Sequence, residues 1–138
     1  MGGFEILEHT ADVGVRASGD TFAEALSWVA KGMFSVIADM DSVEPRKALE
    51  VSVASTETDT LVVDWLNELL YRYEADGLLF KEFQVTVDEG GKSLVGRCIG
   101  EPVDPQRHVM LTAVKAATYH DLQVSHNAQW EVQVLLDV

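Results

Sequence analysis

Val13, Val15 and Ala17 alternate with Gly14 and Arg16, the period-two signature of a half-buried strand, and residues 3–8 form a strand candidate just ahead of it. Asp12 therefore stands at the mouth of the second strand. The period then lengthens. Thr21 opens a helix with Glu24 three residues on, the spacing of a capping box. Phe22, Leu26, Val29, Met33 and Ile37 recur every three or four residues as one apolar stripe facing a core. Gly32 weakens the middle of this helix, and Asp39-Met40-Asp41-Ser42 reads as its polar end. Pro45 keeps the connection that follows non-helical.

Leu49, Val51 and Val53 alternate with polar or small neighbours and predict a third strand. Thr58 or Asp59 can cap a second helix whose apolar positions are Leu61, Val62, Trp65, Leu66, Leu69, Leu70 and Tyr73. That face is broad enough to lie on a sheet. Asn67 and Glu68 fall at its edge, and Gly77 is placed to end the helix in the left-handed conformation. Phe83, Val85 and Val87 make a strand, and Asp88-Glu89-Gly90-Gly91 turns the chain into another over 94–100. The segment 101–105, with two prolines, reads as a break. Residues 109–117 fit a strand or a short helix equally. Short strands at 122–124 and 130–136 complete the pattern, the last with Trp130, Val132, Val134 and Leu136 on one face. Asp137 then falls on the opposite face, with Glu131, Gln133 and Leu135, and is expected to be accessible.

Strands outnumber helices and several neighbours are joined by short turns. The expectation is an α+β fold: a single domain over 1–138, with a largely antiparallel sheet packed by two main helices. No repeat or Gly/Pro-rich linker marks a second domain.

Charge adds a constraint on partners. With 23 acids against 10 bases the net charge is −13, and no run of Lys or Arg exceeds Arg46-Lys47. Nucleic-acid affinity comes largely from neutralising phosphates, so direct RNA or DNA binding is not expected, whereas a basic protein partner would be attracted. An acidic surface also serves solubility alone. The first residues lack the basic-then-apolar order of a signal peptide, and no apolar run is long enough to span a membrane, so the expectation is a cytoplasmic protein. Cys98 is the single cysteine and sits in a strand-like stretch, where a buried small hydrophobe fits better than a nucleophile.

The candidate chemistry lies near the two ends. If the fold brings Asp12 beside Asp137, two side-chain carboxylates and the final carboxylate on Val138 share one small volume, and they repel unless protons or a cation neutralise them. Hard oxygen donors suit Ca²⁺ or Mg²⁺. The same residues read otherwise as a turn aspartate and a solvated terminal acid. His9 can orient a carboxylate, bind a partner or make a structural hydrogen bond. Asp39 and Asp41 can join such a site or be plain surface. Residues 115–120 place four side-chain donors together, of which Lys115 can neutralise carboxylates or snorkel from a strand end. His9, His108, His120 and His126 show no zinc-binding spacing, and neither a Gly-x-Ser-x-Gly elbow nor a Gly-rich phosphate loop is present.

Four blocks in order, His9-Thr10-Ala11-Asp12-Val13-Gly14, Trp65-Leu66-Asn67-Glu68-Leu69-Leu70, Lys115-Ala116-Ala117-Thr118-Tyr119-His120 and Leu136-Asp137-Val138, resemble the archease family, and the resemblance covers essentially the whole chain. It implies a small acidic α+β protein that has no catalysis of its own. Its implied role is to activate an RtcB-type RNA ligase in tRNA splicing, promoting ligase guanylylation and multiple turnover. It also implies a metal site on Asp12, Asp137 and, through main-chain or terminal oxygens, Val138, with Ca²⁺ the first choice and Mg²⁺ or Mn²⁺ alternatives. Asp39 and Lys115 match further positions that look functional in the family. A chaperone-like modulator of an RNA methyltransferase is a second role attached to it. A freestanding metal-dependent enzyme, with Asp12 as ligand and His9 as acid–base group, is the rival from another class.

Overall fold

The computed structural model describes residues 2–8 and 12–138. Four strands, β1 (Gly3–Glu8), β2 (Asp12–Gly19), β6 (Ala116–His126) and β7 (Trp130–Asp137), form an antiparallel sheet in the order β1-β2-β7-β6. Three more, β3 (Lys47–Ala54), β4 (Leu78–Val87) and β5 (Ser93–Pro102), form a second antiparallel sheet in the order β3-β5-β4. The helices α1 (Phe22–Ile37) and α2 (Thr58–Asp76) lie between the sheets. The α+β expectation holds, but the single sheet it pictured is two, with the helices as a middle layer.

Sequence periodicity under-read α1. Besides the expected stripe, Ala25, Ala30 and Phe34 are buried, because α1 packs on β1, β2 and β7 on one side and on β4 on the other. A helix covered on both sides needs apolar residues around most of its circumference. It also needs close approach. A β carbon at Gly32 would fall 2.5 Å from Val15 Cγ1, so the glycine that weakens α1 as a helix lets it settle on β2. Gly96 does the same for β5 against the Trp65 ring of α2. The two helices are tied by Trp65 Nε1–H, which donates to the Leu26 carbonyl at 3.0 Å.

The ends of the elements follow local chemistry. The Thr21 hydroxyl accepts from Glu24 N–H at 3.1 Å, the first half of the predicted capping box. The second half is missing: Glu24 Oε1 is buried without a hydrogen-bond partner among the described residues. Neither Thr58 nor Asp59 caps α2; the N-cap is Glu57, whose side chain makes no capping bond. Gly77 ends α2 at φ +65°, as predicted, and β4 starts at the next residue. Among the described residues no helix is long and apolar enough to cross a membrane.

Two segments correct the sequence reading. The predicted break at 101–105 begins too early, since β5 continues through Pro102. Residues 109–115 are neither strand nor helix. They run extended along the end of α1, with one isolated bridge from Met110 to Ala38.

The extension of β5 buries Glu101, which is 2% exposed. Its carboxylate accepts from both terminal nitrogens of Arg107, from Glu44 N–H at 2.6 Å and from His108 Nε2 at 2.8 Å. His108 Nδ1 accepts from Asp104 N–H, so the hydrogen sits on Nε2 and a neutral ring completes the network. One acid thereby pins the 43–46 and 104–108 segments to the end of β5. The Arg107 hydrogen bond, supported by His108, holds Glu101 far below the usual carboxylate range. A folded-state value below the unfolded one means the stabilisation is complete above the unfolded pKa of about 4.3 and is lost as pH falls through the folded value. Thermal unfolding from pH 6 to pH 3 should therefore show Tm dropping for the natural chain. Glu101→Gln should start lower at pH 6 and lose less over the same interval. Parallel Tm curves would remove Glu101 from the acid response.

Candidate functional site

The register of β2 on β7 pairs Asp12 directly with Asp137, Val13 with Leu136 and Gly14 with Leu135. Opposed residues in an antiparallel pair project to the same face, with β carbons about 5 Å apart. Val15, Ala17, Val132, Val134 and Leu136 form the buried face, which leaves Asp12 and Asp137 together on the other. The predicted strand phase is confirmed and Asp137 is exposed. Leu135 departs from it: it shares the outer face yet is only 5% exposed. Gly14 brings Leu7 and Leu135 close on that face, and so builds an apolar shoulder beside the acids.

Asp12 is half-buried, and its Oδ1 is shielded from solvent with no hydrogen-bond partner among the described residues. A buried carboxylate oxygen without a donor is costly, more so with a second carboxylate opposite. A hard divalent cation relieves both problems, and an oxygen-only donor set is the chemistry Ca²⁺ and Mg²⁺ prefer. Among the described residues no three His, Cys, Asp or Glu side chains gather as a metal group. The two carboxylates would need oxygens from main chain, such as Val138, or from water. With that supplement the residues fit such an ion.

The third strand at this point is β6, where Ala116 pairs with Asp137 from the other side. Lys115 N–H donates to the Asp137 carbonyl at 2.7 Å, so Lys115 flanks the acidic pair while its side chain is exposed. The next residue but one, Ala117, is held from α2. Asn67 Nδ2–H donates to the Ala117 carbonyl at 3.0 Å, and Asn67 Oδ1 accepts from Ala117 N–H at 2.8 Å. One side-chain amide thus satisfies both backbone groups on the outer edge of β6. Sequence reasoning left Asn67 at the helix edge without a role. The available signal was an amide among leucines inside a helix, a place asparagine disfavours.

Asp39 lies at the same end of the molecule. The glycine contacts place the start of α1 beside Gly19 and its middle beside Val15, so the helix runs antiparallel to β2 and ends over the Asp12 side. Asp39 Oδ1 accepts from Asp41 N–H at 3.0 Å and caps the 3₁₀ turn Met40–Ser42. It is exposed and already has this local task. His9 lies outside the described residues. The remaining candidates separate from the pair. His120 is on the exposed part of β6 where register shifts, and Tyr119 there donates to Asp64 on α2. Cys98 is fully buried and its thiol is pushed up to about 12 by burial, which suits a packing residue.

Known proteins share this fold. The archease protein family matches residues 4–138. A protein archease from Methanopyrus kandleri is 38% identical over 138 residues, covering 98% of this chain and 99% of its own. One from Methanosarcina acetivorans is 39% identical over 139 residues, covering 98% of this chain and 95% of its own. The solution structure of protein 1598 from Methanobacterium thermoautotrophicum superposes with a TM-score of 0.85 at 32% identity, with 99% of each chain covered. The crystal structure of a Thermotoga maritima archease, described as a possible chaperone, gives a TM-score of 0.61 at 20% identity over 96% of this chain and 94% of its own, a likeness of fold.

The Asn67 contact carries its own prediction. Asn67→Ala leaves the two Ala117 backbone groups without their partners and should lower stability by about 1–3 kcal/mol. Hydrogen exchange should accelerate at Ala117 well before it does in β3 or β5. Unchanged protection at Ala117 would show that the amide does not hold the β6 edge.

Proposed function

The chain belongs to the archease family, and on that premise we propose that it is a non-catalytic protein cofactor of an RtcB-type RNA ligase in tRNA splicing. In this reading it promotes ligase guanylylation and repeated turnover through a divalent-cation carboxylate site. The supporting observation is the Asp12–Asp137 pairing, with one Asp12 oxygen left without a donor among the described residues. Asp12, Asp137 and oxygens at Val138 would hold the ion, Ca²⁺ first, with Mg²⁺ or Mn²⁺ as alternatives. When bound, such an ion supplies positive charge that offsets charge developing on a nucleotide phosphate. The chain's own part is to fix the geometry. Antiparallel pairing sets the two acids side by side, the Leu7–Leu135 shoulder shields them on one flank, and Asp137 faces outward where a partner can reach it. Lys115 borders the pair through the Asp137 main chain, so a second positive group is at hand.

The net charge of −13 fits docking on a basic RNA-binding enzyme better than docking on RNA. A chaperone-like modulation of an RNA methyltransferase is the second reading; its chaperone part alone is supported, by the Thermotoga maritima archease described as a possible chaperone. A freestanding enzyme would need an acid–base group at the pair, and the one offered by the sequence, His9, lies outside the described residues.

The test mixes the protein at substoichiometric amounts with a matched RtcB-type ligase, GTP and RNA ends bearing a cyclic phosphate and a 5′-hydroxyl. Faster guanylylation and multiple turnover are expected. Asp12→Ala and Asp137→Ala should each weaken Ca²⁺ binding at least tenfold by calorimetry and reduce ligation to the ligase-alone rate, with an unchanged circular dichroism spectrum. A natively folded variant that still stimulates fully would end the carboxylate mechanism. No stimulation by the natural chain would end the ligase reading.

A further inference from the structure

Among the described residues, Val109, Met110 and Leu111 form the one run of consecutive large apolar side chains that are all exposed, at 52%, 40% and 59%. Isolated exposed apolar residues are ordinary, whereas three in succession on a fixed segment are not. The segment is fixed. Asp39 N–H donates to the Val109 carbonyl at 2.9 Å, Leu111 N–H to the Ile37 carbonyl at 2.8 Å and Thr112 N–H to the Val36 carbonyl at 3.1 Å. A hollow of about 420 Å³ separates Val109 and Leu111 from Asp39 and Asp41, both exposed acids. Val114, 4% exposed, then anchors the chain before Lys115, whose N–H bonds Asp137. One ordered segment thus runs from the ridge to the edge of the carboxylate pair.

We propose that this ridge is a docking surface for a segment of a partner protein that carries an apolar side chain next to Lys or Arg. The apolar side chain would enter the hollow beside Val109 and Leu111, while the cation meets Asp39 and Asp41. Asp39 commits Oδ1 to its local turn, and its second oxygen has no hydrogen-bond partner among the described residues. Charge complementarity selects this occupant. A second copy of the chain would bring Asp39 and Asp41 against acids of its own, at −13 on each partner. The proposal rests on the ligase reading for the partner's identity, with the ridge giving affinity and the carboxylate pair giving the effect.

The experiment uses the full chain and the RtcB-type ligase, with affinity from biolayer interferometry and stimulation from the ligation assay. Leu111→Asp and, separately, Val109→Ser should keep the natural Tm to within a few degrees, because more than half of each residue is exposed. Leu111→Asp should weaken binding at least tenfold and Val109→Ser severalfold, with stimulation returning at excess protein. Asp137→Ala should bind as the natural chain does and fail to stimulate. Exchanging Asp41 for Asn should weaken binding at low salt and make little difference at 0.5 M salt, where exposed charges are screened. Natural affinity in both ridge variants, with stimulation by the natural chain intact, would overturn the ridge and leave the ligase reading standing. Absence of any complex with the natural chain would overturn both. A homodimer in sedimentation velocity that Leu111→Asp dissociates would assign the ridge to a second copy and overturn the proposal.

Discussion

The antiparallel pairing of β2 with β7 is the constraint on which the site depends. It joins segments from opposite ends of the sequence and sets, through one register, which side chains enter the core and which leave it. A slip of one residue would turn Asp137 inward and Leu136 outward, exchanging a carboxylate for a leucine in the helix layer. The burial of Val15, Val134 and Leu136 therefore specifies the acidic pair as firmly as any contact between the acids themselves. Gly32 adds to the same end, since α1 can follow β2 closely only where no side chain intervenes.

The molecule treats its acids in two opposite ways. Glu101 is more deeply buried than Asp12, yet it receives hydrogen bonds from Arg107, His108 and the Glu44 backbone, and so works as a structural tie. Asp12 lies nearer the surface and keeps an oxygen that no described group satisfies. Satisfaction, and not burial, separates the two acids: the deeper carboxylate is fully hydrogen-bonded, and the shallower one keeps an oxygen without a partner among the described residues. In a chain this acidic, composition alone cannot make that distinction.

Most local elements were legible because their signals are local. The Thr21 cap, the Gly77 stop, the Asp88–Gly91 turn and the alternation of 130–136 each depend on a few neighbouring residues. What escaped depended on contacts distant in sequence. The division into two sheets is written in the second buried face of α1, where Ala25 and Ala30 look neutral until a sheet is packed on them. The role of Asn67 needs Ala117 beside it, and that of Glu101 needs Arg107 and His108 folded back over it. Residues 109–111 fit a strand or a short helix equally by pattern, but only the α1 end pairs with them and their side chains find no core. The acidic pair was half legible: strand phase put Asp137 outside, while its partner came from register.

Because β7 lies between β2 and β6, neither neighbour can supply the pair alone. In the unfolded chain Asp12 and Asp137 are far apart and bind a cation no better than any two carboxylates. Occupancy of the site and integrity of the fold are therefore linked quantities: whatever binds only the folded pair stabilises the folded state by RT ln(1 + [L]/Kd). The acidic pair acts in effect as a latch, closed only when β2 and β7 are both docked, so a chain with its last strand undocked holds two separate acids and no pair.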